Sequence, residues 1–385
     1  VTIRHPLDPV ALTRTLVAID SRNPSLVDGA PGEGRVAACL AEILSGWGFT
    51  VELREVAPGR PNVIARVGPA GCTPLVLNGH LDVVGTDGMT HPPFQPHEAD
   101  GRLYGRGAND MKGGVAAMCV AAARVAARGE LVSEVIVTAV CDEEYRSLGT
   151  SALLAGGLQA TAAIVTEPTR LAICPAHKGF VWFDVAVTGH AAHGSRPDVG
   201  VDAIAHAGLL LGTMLAHGED TLGARRHPLL GAPSLHAATI TGGTGWSTYP
   251  SHCALQVERR TIPGETGDQV RRELQQLIDE LARTRRAFSA TLTLHTEQPP
   301  NDVPVHAPIV HALRDALCEA ALPPSIDGLS CWTDAALFTA AGIPAVCFGP
   351  GDIARAHAAE EWIGIDELHH ATTVLESVLR AWGAP

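Results

Sequence analysis

The chain is predicted to be an α/β protein with a mixed, mostly parallel central sheet, interrupted by an inserted α+β module. Three observations predict it. Toward both ends, short β-type runs alternate with helical segments, as in a layered α/β sheet. In the middle the order becomes strand, helix, strand, strand, helix, strand, which suits a compact two-layer module. A Pro-rich joint, TEQPPNDVP, then precedes resumed alternation. The length of 385 residues favours two domains and a core that needs no disulfide or structural metal. The expected boundaries are 1–177 and 297–385 for the α/β part and 178–296 for the insertion.

Asp8-Pro9 reads as N-cap and first helical residue, ahead of Leu12, Leu16, Val17 and Ile19 at helical spacing. A second amphipathic helix is expected from Gly34 to Trp47, stopping at Gly48. The β-type runs TVELREV, NVIARVG and LVLNGH follow. Next come a small-residue helix over Gly113–Ala127, the strand EVIVTAV, a short helix near Thr150–Ala155 and the strand AAIVTEP. In the insertion FVWFDVAVTG, LHAATITGG, HCALQVERR and SATLTLHTE read as strands, and Val201–His217 as a helix. A long helix starts at a Thr266/Gln269 capping box and lines up Val270, Leu274, Leu277, Ile278 and Leu281. After the joint come helices Ala307–Ala321 and Asp334–Ala341, the strand IPAVCFG and the helix Asp366–Trp382.

Composition excludes several classes. With 46% hydrophobic and 18% charged residues, disorder is not the main character. The longest weakly interrupted apolar stretch, Gly113 to Ala123, is about half of the ~20 residues a membrane span requires, and Arg124 closes it. A net charge of −13, without a dense basic patch, argues against nucleic acid or an anionic membrane as partner. The nine cysteines are odd in number and form no Cys-x-x-Cys, so reduced, mostly buried thiols in a cytoplasmic protein are expected. The start, VTIRHPLDPVAL, lacks the charged and apolar regions of a signal peptide.

The chemistry-bearing residues sit where strands end. LVLNGHLDVV carries His80 and Asp82, VIVTAVCDEEYRSLGT carries Asp142, Glu143 and Glu144, and AAIVTEPT carries Glu167. GRGANDMKGG presents Asp110 on a Gly-rich loop before a helix, and FGPGDIARAHAAEEW carries His357 after a Gly-Pro-Gly turn. Each alone has an ordinary explanation: a hydrogen-bonded histidine, a solvated strand edge, a polar turn. Together they do not, because ligands gather at the carboxyl ends of α/β strands and unpaired burial of such groups is costly.

These segments, with GHAAHGSRP and ERRTIPGE, make the chain resemble the M20 metallopeptidases over nearly its whole length. That group includes acetylornithine deacetylase, succinyl-diaminopimelate desuccinylase, aminoacylase-1 and glutamate carboxypeptidase. The resemblance implies a zinc-peptidase-like catalytic domain holding two Zn²⁺, with Co²⁺ as a possible substitute. His80 and Glu167 would bind one ion and Glu144 and His357 the other, with Asp110 bridging both in a loop that commonly carries a cis peptide. Asp82 would hold the His80 imidazole in the right tautomer, and Glu143 would be the general base. The split of roles between Glu143 and Glu144 rests on the resemblance. His and carboxylate donors without thiolate suit a hydrolytic centre that activates water and polarises a carbonyl.

The insertion resembles the family's lid or dimerisation domain. There His193 would stabilise an oxyanion, commonly in the partner subunit's site, and Arg260, or its neighbour Arg259, would hold a substrate carboxylate. Ser247 stands where many relatives have Asn, which weakens the usual polar contact with substrate. Asp334 reads equally as a helix N-cap or a pocket residue. The implied activity is acetylornithine deacetylase-like deacylation of N-acyl-L-amino acids by a homodimer, or, as in a dipeptidase or carboxypeptidase, cleavage of a peptide bond beside a free carboxylate by the same residues. A binding protein that kept the fold would have lost a ligand or the base, and neither is missing.

Overall fold

The runs LVLNGH, VIVTAV and AAIV are apolar on both sides of their alternation, as strands covered on both faces must be. In a computed structural model, which describes residues 5–70 and 74–383, they form the strands Leu75–His80, Val135–Val140 and Ala162–Val165, buried throughout. The chain divides into two units. The first lies within Val1–Pro175, Val303–Asp327 and Thr333–Pro385, and the second comprises Ala176–Asp302 with Gly328–Trp332. The sequence leaves Gly328–Trp332 in the outer part, where no local pattern sets it apart.

In the first unit the strand order is Thr50–Ala57, Arg60–Val67, Val135–Val140, Leu75–His80, Ala162–Val165, Ala345–Cys347 and Ile173–His177. Leu75–His80 runs parallel to both Val135–Val140 and Ala162–Val165, and Ala345–Cys347 is parallel to the latter. The outer pairings are antiparallel. The helix Gly113–Ala127 packs between Pro9–Val17 and Ile365–Ala381 and is buried along nearly its whole length. Its small residues permit close approach: a Cβ on Gly114 would lie 2.0 Å from the Thr166 carbonyl oxygen. The helix therefore seats directly beneath the strand that leads to Glu167.

Asp8 caps the first helix through a 2.8 Å bond from the Ala11 N–H. The second helix, Gly34–Gly46, ends before Gly48, whose φ of +94° a side chain would disfavour. Two features were not legible. A three-stranded sheet of His97–Ala99, Arg102–Tyr104 and Trp362–Gly364 stands apart from the main sheet, and the strand Ile173–His177 extends the main sheet.

The second unit is a four-stranded antiparallel sheet, ordered Ser234–Gly242, His252–Thr261, Gly179–Thr188 and Ser289–Gln298. Strand alternation sends Val181, Phe183, Val185, Cys253, Leu255 and Val257 into one core with the helices Ala203–His217 and Gly267–Thr284. The capping box forms as the sequence predicts, with Gln269 N–H on Thr266 Oγ1 at 3.3 Å and Thr266 N–H on Gln269 Oε1 at 2.9 Å. Among the described residues no helix is long and apolar enough to cross a membrane. The eight described cysteines form no disulfide, with Cys318 exposed rather than buried. Cys72 and the residues Val1–Arg4 of the N-terminal reading lie outside the described residues.

Candidate metal centre and active site

Three parallel neighbouring strands bring the first residues together. His80 ends Leu75–His80, Glu143 and Glu144 follow Val135–Val140, and Glu167 follows Ala162–Val165. Their carboxyl ends open on one side of the sheet, where ligand sites of this architecture lie. Asp110 arrives from the turn Ala108–Lys112, with a cis bond between Asp110 and Met111. His357 arrives from the loop after Ile353–Arg355, with φ at +60°.

The two oxygens of Asp110 face different imidazoles. Oδ1 lies 3.2 Å from His80 Nε2, and Oδ2 lies 3.6 Å from His357 Nε2. Donor atoms of His80, Asp110 and Glu167 lie within 4.8 Å of one another, and so do those of Asp110, Glu144 and His357. Glu144 Oε2 is 2.9 Å from His357 Nε2. Two nitrogen–oxygen donor sets thus share one carboxylate, and neither contains a thiolate. Such sets fit divalent metal ions.

The imidazole of His80 is held by Asp82, through the backbone rather than the carboxylate. His80 Nδ1 bonds the Asp82 carbonyl oxygen at 2.9 Å, while the carboxylate stands 3.7 Å away. A carbonyl only accepts, so Nδ1 carries the proton and, in the neutral ring, Nε2 offers its lone pair toward Asp110. The Asp82 carboxylate is engaged elsewhere. It accepts the N–H groups of Glu143 and Glu144 at 3.1 Å each and the Asn23 amide at 2.8 Å. It holds the turn that carries the paired glutamates.

Burial and crowding set the charges. Burial pushes the Glu143 carboxyl well above the usual range, His80 opposing and Glu167, Asp334 and Glu144 adding to the rise. Glu167 is raised likewise, by burial and then by Asp110. Asp110 is held below the usual range: burial works against this, but His80 and His357 outweigh it. His357 is raised to about 9, first by its bond to Glu144. Burial raises Asp82 to about 7, against His80. The buried carboxylates outnumber the imidazoles between them, an excess that bound cations relieve. Glu143 belongs to neither donor set, yet its Oε2 lies 3.9 Å from His80 Nε2.

Several supporting residues have no sequence signal. Arg60 bonds Glu33 at 2.5 Å and Asp142 at 2.8 Å, and Asn23 bonds Asp142 at 3.1 Å as well as Asp82. This buried lattice pins the turn at Asp142, where φ is +66°. Asn23 and its two partners are 59 and 119 residues apart in sequence, so nothing local announces the contacts. Asp334 does not cap its helix; buried, it accepts the Thr150 hydroxyl at 2.6 Å, and burial lifts its pKa to about 6.

In the second unit His193 is exposed, with Nδ1 accepting the Ser195 N–H at 3.2 Å and 2.8 Å from the Ser195 hydroxyl. Nδ1 is then the acceptor, leaving Nε2–H as an outward donor. Ser247 lies across from it, its carbonyl accepting the Gly194 N–H at 2.8 Å. The two arginines separate cleanly. Arg259 is buried and paired with Glu265 at 2.5 Å. Arg260, on the other face of the strand, is partly exposed, bonded to Glu258 at 2.9 Å, with its guanidinium 5.4 Å from the centre of the Phe180 ring. Of the two, Arg260 is the more exposed.

Comparison with known proteins gives a consistent family. The family model described as peptidase family M20/M25/M40 matches residues 76–381. An acetylornithine deacetylase of Myxococcus xanthus is 33% identical over 345 residues, covering 86% of this chain and 88% of that protein. Another, from Edwardsiella ictaluri, is 31% identical over 380 residues, 96% of each. Among solved structures, the Bacillus subtilis YXEP protein, a dinuclear metal-binding peptidase of the M20 family, superposes with a TM-score of 0.73 at 16% identity, covering 97% of this chain and 96% of that one. With that family model spanning most of its length and both deacetylases above 30% identity, the chain belongs to peptidase family M20/M25/M40 and is a metal-dependent hydrolase of amide bonds.

Proposed function

We propose that this enzyme removes the acyl group from N-acyl-L-amino acids, like the acetylornithine deacetylases it is similar to, with zinc in both donor sets and cobalt as a substitute. The observation that carries the reading is Asp110, whose two oxygens face His80 and His357 and so belong to both sets. When bound there, such ions polarise the scissile carbonyl and render water acidic enough to attack near neutral pH.

The chain's own groups supply the rest. Glu143 takes the proton of the attacking water and passes it to the leaving amine. Its buried, carboxylate-rich surroundings support this role, since they make it a better proton acceptor than an exposed glutamate. His193 donates its Nε2–H to the developing oxyanion. Arg260 binds the free carboxylate of the substrate, and Ser247, shorter than an amide side chain, lies near His193 at the same end of the module.

A homodimer through the inserted module is part of the proposal. Its support is the edge strand Ser234–Gly242, together with exposed Ile204, Leu215, Ile240 and Trp246. The absence of disulfides among the described cysteines supports a cytoplasmic location.

The carboxylate contact is open to direct test. Arg260→Ala is expected to raise KM for an N-acetyl-L-amino acid about 10- to 100-fold, the scale of a lost charge-assisted bond. The amidated analogue of that substrate, lacking the charge, is expected to change far less. An equal effect on both would remove Arg260 from the carboxylate.

A further inference from the structure

The loop that carries Asp110 folds around a carboxylate from the far end of the chain. Glu361 is wholly buried. Its Oε1 accepts the backbone N–H groups of Gly107, Asn109 and Asp110, each at 3.0 Å. Its Oε2 accepts the Gly107 N–H at 3.0 Å and Arg106 Nη1 at 2.6 Å. Gly107 is left-handed, with φ at +84°, and this turns successive N–H groups inward into an anion-binding nest. The nest is filled from within the protein, so it serves as a fastening.

A second fastening lies nine residues earlier on the same segment. The Asn109 side chain donates to the Asp352 carbonyl at 3.0 Å and accepts the Asp352 N–H at 2.9 Å. His357 hangs between Asp352 and Glu361, and both are tied to the Asp110 loop. Beside Glu361, Trp362 stacks between the guanidinium groups of Arg102 at 3.9 Å and Arg355 at 3.6 Å, which stiffens the segment further.

We infer that Glu361 is a positioning residue: by filling the nest it fixes Asp110 relative to His357, and so holds the two donor sets at one spacing. Its side chain meets Asp110 at the backbone N–H, not at the carboxylate that faces the two imidazoles, and has no part in proton transfer. The inference rests on the reading of Asp110 as the shared ligand. A glutamine cannot replace it, because its NH₂ would meet the Gly107 N–H or Arg106, donor against donor, inside a buried site.

The test is titration of the metal-stripped full chain with zinc, and separately with cobalt to read the visible spectrum. Glu361→Gln is expected to weaken zinc binding about 10- to 100-fold, the range for groups that orient ligands from behind. Its cobalt spectrum is expected to shift, and kcat to fall with KM little changed. Glu361→Asp keeps the charge on a shorter arm and is expected to lie between, which keeps the inference testable if the glutamine variant does not fold. Glu376→Gln breaks ion pairs with Arg124 and Arg128 away from the donor sets. It is expected to lower Tm while leaving zinc affinity and the cobalt spectrum unchanged. Wild-type affinity and spectrum in the folded Glu361 variants would overturn the inference. Failure of the unaltered chain to bind two ions would instead overturn the reading of Asp110.

Discussion

Glu143→Gln is expected to retain both metal ions and lose turnover by about two to four orders of magnitude, the range for removal of a general base. The geometry separates the two effects. Glu143 stands outside both donor sets, so an isosteric amide removes no ligand. Its backbone N–H is anchored on the Asp82 carboxylate at 3.1 Å, so the turn that presents Glu144 keeps its shape. What disappears is a carboxylate whose surroundings favour its holding a proton, with burial as the first cause. Metal content and kcat measured on the same preparation check this, and a kcat equal to the wild type would remove Glu143 as the base. The same variant tests where His193 acts. Mixed with His193→Ala and allowed to exchange subunits, it should recover about one quarter of wild-type turnover if His193 serves the partner's site, because half the dimers are hybrids with one intact site each. No recovery would place both residues in one chain's site.

Asp110→Ala is expected to abolish turnover by a different route, through loss of both ions. The carboxylate is the third member of each set, so its removal leaves only His80 with Glu167, and Glu144 with His357. Two protein donors are fewer than the three that hold a catalytic zinc. His357→Ala, by contrast, is expected to weaken one ion and spare the other, since His80 and Glu167 still meet Asp110 Oδ1. Metal content after exhaustive dialysis distinguishes the two variants. Two tightly held ions in Asp110→Ala would refute the shared ligand.

Much of this was legible because the relevant signals are local. Strand runs apolar on both faces, such as LVLNGH and VIVTAV, reveal a covered sheet from a few residues, and the polar residue that ends each run marks the sheet's carboxyl edge. The order of the inserted module was readable for the same reason, its alternation and its Thr266/Gln269 capping box being written within single elements. What the sequence did not reveal depends on distance. The strands His97–Ala99, Arg102–Tyr104 and Trp362–Gly364 are three residues each, too short to establish a period, and one comes from the far end of the chain. Asn23, Glu33 and Arg60 look like ordinary polar residues until the fold brings them behind Asp82 and Asp142.

Two readings turn on the atom rather than the residue. Asp82 fixes His80, but through its carbonyl, because its carboxylate is claimed by two backbone N–H groups and an amide. Asp334, read equally as a cap or a pocket residue, begins a helix without capping it, and its side chain turns inward to Thr150. Residue type and position do not determine which of several donors a buried acceptor meets. The choice between Arg259 and Arg260 was of the same kind, and burial of Arg259 against Glu265 favours Arg260 as the more accessible of the two.

The measurement that tests the central claim most directly is amine release by the zinc-loaded enzyme on a matched panel. N-acetyl and N-succinyl amino acids would be paired with dipeptides of the same C-terminal residue, each assayed with and without chelator. The predicted result is turnover that the chelator abolishes, confined to the N-acyl amino acids and fastest with acetylornithine. Faster cleavage of the dipeptides, or turnover that survives the chelator, would contradict it.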